Sequence, residues 1–420
     1  MMRNVKSGVI AVLDLGATHI GCAVARVARD GPMSAPSIHV LGASHVESQG
    51  VGATGITDLK SAEKAIRIAI DSAEKRAEVT LDSIVVGANI GRPTARLVTT
   101  EIDMVGKAVG TRELNALENH ARRDGQEERL KLLHFNRRYY IGDNEDILQD
   151  PLGIRVGVLA AEHCLVEVEA HAWANLQACV ESTHLKLQQP VLATMAAAAA
   201  SVSEDEFEQG VICIDMGGAA TAFALYCDGA IQTVGQVRVG AHHITRDISL
   251  GLNITIEDAE RLKMMNGNAM ANPLYGGGDV DATLHARPVG GGGMDVPIRQ
   301  HDLNQILCAR VDEILDLLET EFDGALHNGR VRNIVITGGG ARLNGMELLM
   351  QNRFGVPVRL GRPQVIRGMP EVLSGPSGCV LTGLLLAVAD TNQAKRAGLV
   401  MPEDLGVFGR LKHWWSENFY

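Results

Sequence analysis

Three short turns carry the residue types that phosphate chemistry requires. Asp14-Leu15-Gly16 ends an apolar run that begins at Gly8, and Asp215-Met216-Gly217-Gly218 ends a similar run from Gly210. A glycine straight after a strand opens backbone N–H groups to an anion, because no Cβ blocks the approach. A carboxylate beside it can hold a hydrated Mg²⁺ that bridges phosphate oxygens. Two such turns facing each other would grip the β- and γ-phosphates of a nucleotide from both sides. The plain alternative, a hairpin turn after a core strand, explains either turn alone better than it explains a matched pair. The third turn, Thr337-Gly338-Gly339-Gly340-Ala341-Arg342, follows an apolar strand at Val331–Ile336 and offers bare backbone to a base or ribose.

Two charged residues fall in line with these turns. Thr255-x-x-Asp258 opens a helix expected over Ile256–Met265, and Glu260 and Lys263, three apart, share one of its faces. They could close over a nucleoside, or form a solvated surface pair. The sequence has no GxxxxGK[ST] loop. Its one dinucleotide-like string, Gly50-Val-Gly52-Ala-Thr-Gly55, reads as a connecting loop: the strand before it ends near Val46 and the helix after it starts near Asp58. A pyrophosphate turn must join strand to helix tightly.

The C-terminal segment suggests a different chemistry. At about 100° per residue, Val407, Phe408, Leu411, Trp414, Trp415 and Phe419 fall in one arc, facing Arg410, Lys412, His413, Ser416 and Glu417. Two of the chain's three Trp residues lie here. Aromatic residues over a basic polar face suit a helix lying in the plane of a membrane surface. The alternative is a helix docked on the protein's own core. One such helix binds lipid marginally, so stable attachment requires many copies together, as polymerisation would supply.

The elements that must position these residues alternate strand and helix, the pattern of an α/β protein. Strands are expected at His19–Val27 and Thr221–Cys227 after the two Asp turns, with a hairpin at Asp228-Gly229 leading to Ala230–Val237. Helices are expected at Ser61–Arg76 and Gln300–Leu326, the latter with Leu303, Leu307, Val311, Ile314, Leu317 and Leu318 on one side. The matched halves imply a duplicated, two-lobed architecture. Gly276-Gly-Gly and Gly290-Gly-Gly-Gly bracket an irregular loop, and Asp390–Asp404 reads as a linker ending the globular body.

The bulk numbers agree with such a body. The chain has 420 residues, 46% hydrophobic and 21% charged, suited to several subdomains. A net charge of −11 argues against a nucleic-acid partner, which needs a basic footprint. Seven scattered cysteines without a CxxC pair read as reduced, buried thiols. No apolar run approaches bilayer length.

The order of the three turns resembles the actin, Hsp70 and sugar-kinase superfamily. Within it, the chain is similar to the cell-division actins of the FtsA family over nearly its whole length. The resemblance is carried by Leu133-His134 to Tyr140, by Asp150-Pro151-Leu152-Gly153-Ile154, by Glu162-His163 and by Glu204-Asp-Glu206 to Gly210. The run from Val239-Gly240-Ala-His-His-Ile-Thr245-Arg-Asp247 through Ala259-Glu260-x-x-Lys263 to Gly267 also matches, as does the tail Phe408–Phe419. It implies an actin-like two-lobed fold of duplicated ribonuclease-H-like domains with an inserted subdomain 1C and a C-terminal amphipathic helix. The implied division is 1–81 with 163–200 (1A), 82–162 (1C), 201–239 with 300–389 (2A), 240–299 (2B), a linker at 390–404 and a membrane helix at 405–420. The resemblance assigns Asp14 and Asp215 to Mg²⁺ and phosphate. It places Gly16, Ala17, Thr18, Gly217, Gly218 and Ala219 at the phosphates of ATP, and Glu260, Lys263, Gly338, Gly339 and Arg342 around the adenosine.

The resemblance implies a scaffold on the cytoplasmic side of the inner membrane at the division site. Its implied partners are the FtsZ C-terminal tail at 2B, further copies of itself, inner-membrane lipids (through Phe408, Leu411, Trp414, Trp415 and Phe419) and later division proteins. The chain departs from the family text at Ala17, Ala219, Ala220 and Ala222, where hydroxyls, a glycine and a carboxylate are usual. Each lost hydrogen bond to a charged group is worth about 1.5–3 kcal/mol, so binding with little or no turnover is expected. A small-molecule kinase or phosphatase and a pilus-assembly adaptor are the alternatives within the superfamily.

Overall fold

The two apolar runs that end in aspartate become central strands of two separate sheets. The computed structural model describes residues 6–29, 35–124, 127–271, 282–290 and 294–399. In the first lobe, β1 (Lys6–Leu15) pairs antiparallel with β2 (His19–Arg29), which pairs with β3 (Ser37–Glu47). A small hairpin, β4 (Val51–Gly52) and β5 (Gly55–Ile56), occupies the glycine string discounted above as a nucleotide turn. It leads to α1 (Leu59–Ala77), whose N-cap Asp58 accepts from the N–H of Lys60 and Ser61. Ala62, Ala65, Ile66, Ala69, Ile70 and Ala73 form its buried stripe. The strand β6 (Ser83–Ala88) then returns parallel to β1.

The chain next builds a second, inserted sheet from β7 (Thr94–Asp103), α2 (Thr111–Arg123), β8 (Leu130–Ile141), β9 (Ile147–Leu148) and β10 (Val158–Glu169), in the order β7-β10-β8-β9. Helix α3 (Ala170–Glu181) and β11 (Lys186–Leu192) complete the first sheet as β11-β6-β1-β2-β3. The expected subdomain edge at 82 puts β6 on the wrong side, and the edge at 162 falls within β10. β6 falls inside 82–162 yet pairs with β1, and β10 continues past residue 162, with a register shift against β8 at that point. An apolar run alone does not say which sheet it joins.

After α4 (Ala193–Ser201) and α5 (Glu204–Gln209) come β12 (Val211–Met216), β13 (Thr221–Cys227) and β14 (Ala230–Val237). Asp228 and Gly229 both adopt positive φ, 54° and 69°, as the tight hairpin demands. Helices α6 (Ala241–Leu252) and α7 (Ile256–Asn266), the pair β15 (Thr283–Ala286) and β16 (Val296–Arg299), and α8 (Gln300–His327) follow. The chain then runs through β17 (Asn333–Thr337), α9 (Met346–Phe354), β18 (Val358–Leu360), α10 (Cys379–Ala389) and α11 (Thr391–Arg396). The second large sheet is ordered β14-β13-β12-β17-β18. In each lobe a central strand has two antiparallel neighbours on one side and two parallel ones on the other. The duplication expected from the sequence is therefore a duplication of topology.

Two crossing helices join the lobes. Every residue of α4, Ala-Thr-Met-Ala-Ala-Ala-Ala-Ala-Ser, is buried. A Cβ built on Gly383 of α10 would lie 1.7 Å from the Ala196 carbonyl oxygen, so the backbones meet where only glycine fits. One apolar core runs from Val12 and Val85 through this crossing to Val211, Tyr226 and Val335.

Three expectations need correction. Asp390–Asp404 is not a linker over its described part: Asp390 caps α11, Tyr226 donates to the Ala397 carbonyl, and Ala394, Ala397 and Leu399 are buried in the shared core. Leu317 is 38% exposed and stands off the packed side of α8, while Leu318 is buried. A strand, β15, lies within the segment read as irregular. The subdomain division, with its two strand conflicts, stays a proposal, and residues 405–420 lie outside the described residues.

Candidate functional site

The three glycine turns meet at one place between the lobes. At the first, the Gly16 N–H donates to the His19 carbonyl at 3.1 Å, folding the chain sharply after β1. Asp14 ends up beside Gly87 of β6. At the second, the carbonyls of Gly217 and Gly218 accept from the N–H groups of Ala241 and His242 at the start of α6, both at 2.9 Å. With those carbonyls engaged, the N–H groups of Gly218 and Ala219 find no acceptor among the described residues, nor do those of Ala17 and Thr18. A cluster of unpaired donors on paired turns is what a phosphate anion would satisfy.

Across the cleft the turns nearly touch. A Cβ on Gly218 would lie 2.2 Å from Thr18 Cγ2. At the third turn Gly338 has φ of +82°, and a Cβ there would lie 2.6 Å from both Asp215 Oδ1 and the Met216 carbonyl oxygen. The structure thus brings Asp14, Gly16, Ala17, Thr18, Asp215, Gly217, Gly218, Ala219 and Gly338 to one cleft. Gly339, which caps the following short turn Gly340–Arg342, and Arg342 within it are exposed.

Burial, and then the charge of Asp215, push the Asp14 carboxyl well above its ordinary value. Burial also pushes Asp215 up to about 6, against one donor that favours its ionised form, Asn89. Asn89 Nδ2 donates to Asp215 Oδ2 at 3.2 Å, while its Oδ1 accepts from the Thr194 N–H and hydroxyl at 3.2 and 3.0 Å. Two carboxylates held in this way favour a divalent cation between them and a phosphate. Ala222, where the family text has a carboxylate, is buried directly across the ladder from Asp215.

Glu260 and Lys263 play unequal parts. The Lys263 ammonium points inward, donating to the Ala241 carbonyl at 3.2 Å, Thr245 Oγ1 at 2.8 Å and Glu260 Oε2 at 2.7 Å. Its three donors are spent inside the protein, so it is placed to hold Glu260, not to reach a ligand. Burial lowers the Lys263 pKa and raises that of Glu260, but the ion pair and hydrogen bonds outweigh burial for Glu260 and leave it lowered overall. Glu260 keeps 49% of its side chain exposed and remains free to accept.

The sequence reading missed Asn89, Thr194, Thr245 and Pro376, whose carbonyl accepts from the Gly338 N–H at 3.1 Å. For Asn89 a signal existed: it is the polar residue ending the apolar run Ile84–Ala88, as Asp14 and Asp215 end theirs. Among the described residues no cluster of three or more metal-ligating side chains occurs, and no helix is long and apolar enough to cross a membrane.

Comparisons with known proteins bear on the family and the fold. The sequence profile described as cell division protein FtsA matches residues 212–383. The chain is 30% identical to cell division protein FtsA of Agrobacterium fabrum, over 100% of this chain and 96% of that protein. Among solved structures it is similar to the PilM–PilN type IV pilus biogenesis complex, with a TM-score of 0.58, 15% identity, and 91% and 98% of the two chains covered. It is also similar to MreB5 of Spiroplasma citri bound to ADP, with a TM-score of 0.50, 15% identity, and 92% and 97% covered. At such identities these two show a shared actin-like fold and nothing finer.

Proposed function

The chain belongs to the FtsA family of cell-division proteins, and from that premise we propose that it is an ATP-binding scaffold that tethers FtsZ polymers to the cytoplasmic face of the inner membrane. The observation that carries the nucleotide part is the convergence of three glycine turns on two buried carboxylates. The residues fit a magnesium nucleotide: Asp14 and Asp215 would hold Mg²⁺, and the unpaired N–H groups of both turns would take the phosphates. Bound there, Mg²⁺ supplies the positive charge that lets both carboxylates ionise.

Turnover is weak or absent in this reading. Ala17, Ala219 and Ala220 bring no hydroxyl to the cleft, and Ala222 brings no general base. That same lack argues against a kinase or phosphatase. Nucleotide then acts by setting the lobe geometry, and through it self-association.

Membrane attachment rests on the segment containing Phe408, Leu411, Trp414, Trp415 and Phe419. Residues 240–299, the proposed FtsZ-tail subdomain, carry an open concave surface lined by Glu257, Asp258, Arg261, His285, Arg287 and Asp295. Self-association would multiply weak single-helix attachments by avidity, and later division proteins would join the assembled scaffold. The test is liposome pelleting of the full chain and of a chain ending at Asp404, with and without FtsZ-tail peptide. The reading expects pelleting and peptide recruitment by the full chain, and loss of pelleting with retained peptide binding in the shortened one. Pelleting that survives the truncation contradicts the anchor.

A further inference from the structure

We infer that Asn89 is a positioning residue that ties the two lobes at the nucleotide cleft by fixing the Asp215 carboxylate for its cation. This rests on the nucleotide reading above. Asn89 follows β6 in the first lobe, Asp215 is the penultimate residue of β12 in the second, and Thr194 lies in the first turn of α4, one of the two crossing helices. A single amide therefore touches both lobes and the element that joins them.

The direction of the amide is set. Two donors of Thr194 converge on Oδ1, which turns Nδ2 toward Asp215. Among the described residues Asn89 is the one side chain that donates to the Asp215 carboxylate. The other carboxylate oxygen, Oδ1, lies against bare Gly338, where a Cβ would come within 2.6 Å. Asp215 is thus held from one lobe on Oδ2 and walled by its own lobe on Oδ1. A carboxylate with both oxygens constrained has little rotamer freedom left to lose when a ligand binds. Asp14 has no such support: no side-chain donor reaches its carboxylate among the described residues. Any rotation of the lobes about the α4–α10 crossing moves Asn89 relative to Asp215, so closure and correct aim of the carboxylate become one event.

The test is isothermal titration of the full chain with ATP, once in Mg²⁺ and once in EDTA, for the unaltered protein, Asn89→Ala and Thr194→Val. Asn89→Ala is expected to weaken binding in Mg²⁺ about tenfold or more, the scale of a hydrogen bond to a charged group. In EDTA it should change binding less than about threefold, since the tie acts through the cation ligand. Thr194→Val keeps Asn89 and removes one of the two groups orienting it, so its loss should be smaller and in the same direction. Equal losses in both buffers would make Asn89 a structural residue and overturn the inference, as would unchanged affinity in Mg²⁺. A second arm uses ligand-free protein. Amide hydrogen exchange at the end of β12 and at Gly217, whose N–H donates to the Asp215 carbonyl, should quicken in Asn89→Ala, and unchanged protection there overturns the tie. If the unaltered protein binds no ATP in either buffer, the nucleotide reading fails, and the exchange arm still decides whether Asn89 ties the lobes.

Discussion

The two Asp-x-Gly turns are close copies in sequence and unlike in support. Asp215 is tied at one oxygen by Asn89 and walled at the other by Gly338, whereas Asp14 stands beside it with no side-chain donor among the described residues. Duplication supplied two matching strands, but the surroundings of each carboxylate came from elsewhere in the chain. Asp215 reads as the preset half of a cation site, and Asp14 as the half that the cation must recruit.

That contrast can be broken most forcefully at the carboxylates. Asp14→Ala and Asp215→Ala are each expected to lower ATP affinity in Mg²⁺ on the order of a hundredfold, the top of the range seen for residues that merely support metal ligands. Titration calorimetry measures this, and near-unchanged binding in either variant would remove the paired-ligand account.

Stability should move the other way. A carboxyl whose folded pKa is raised binds more protons folded than unfolded. Its stabilising contribution is therefore full below the unfolded value and lost as pH rises through the folded one. For Asp215 the window runs from 3.8 up to about 6. Ligand-free protein should gain stability from this group as pH falls from 6 toward 4, and Mg²⁺-dependent ATP binding should weaken over the same descent. By the same sign, Asp215→Asn should stabilise the ligand-free protein at pH 7 by up to about 3 kcal/mol, read as a rise in melting temperature.

Smaller effects separate the supporting residues. Gly338→Ala places a Cβ against Asp215 at positive φ, and should cost about 1–3 kcal/mol of stability along with Mg²⁺-dependent affinity. Chemical denaturation and titration together check it. Lys263→Met should reduce ATP affinity only a few-fold, because the lysine acts through Glu260. A loss as large as that of Asp215→Ala would mean that Lys263 reaches the ligand itself.

Much of this was legible in the sequence, for local reasons. The turns after Asp14 and Asp215 and the Asp228-Gly229 hairpin each follow from residues acting on their near neighbours. What stayed hidden depends on distant contacts. The alanine run of α4 has no hydrophobic face to read, because all its sides are buried at a helix crossing. Asn89 acquires its role from Thr194 and Asp215, far along the chain. Residues 390–399 carry the punctuation of a linker, yet Ala397 and Leu399 fill a core that only the folded lobes create. Helical spacing gives Lys263 and Glu260 a shared face, but spacing cannot say that Thr245 and the Ala241 carbonyl already take up the lysine there.

The most direct measurement of the central claim is the structure of the full chain crystallised with ATP and Mg²⁺. The account predicts phosphates held between the turns at Gly16–Thr18 and Gly217–Ala219, with the cation near Asp14 and Asp215. Nucleotide bound elsewhere on the molecule, or a cleft left empty at saturating ATP, would contradict it.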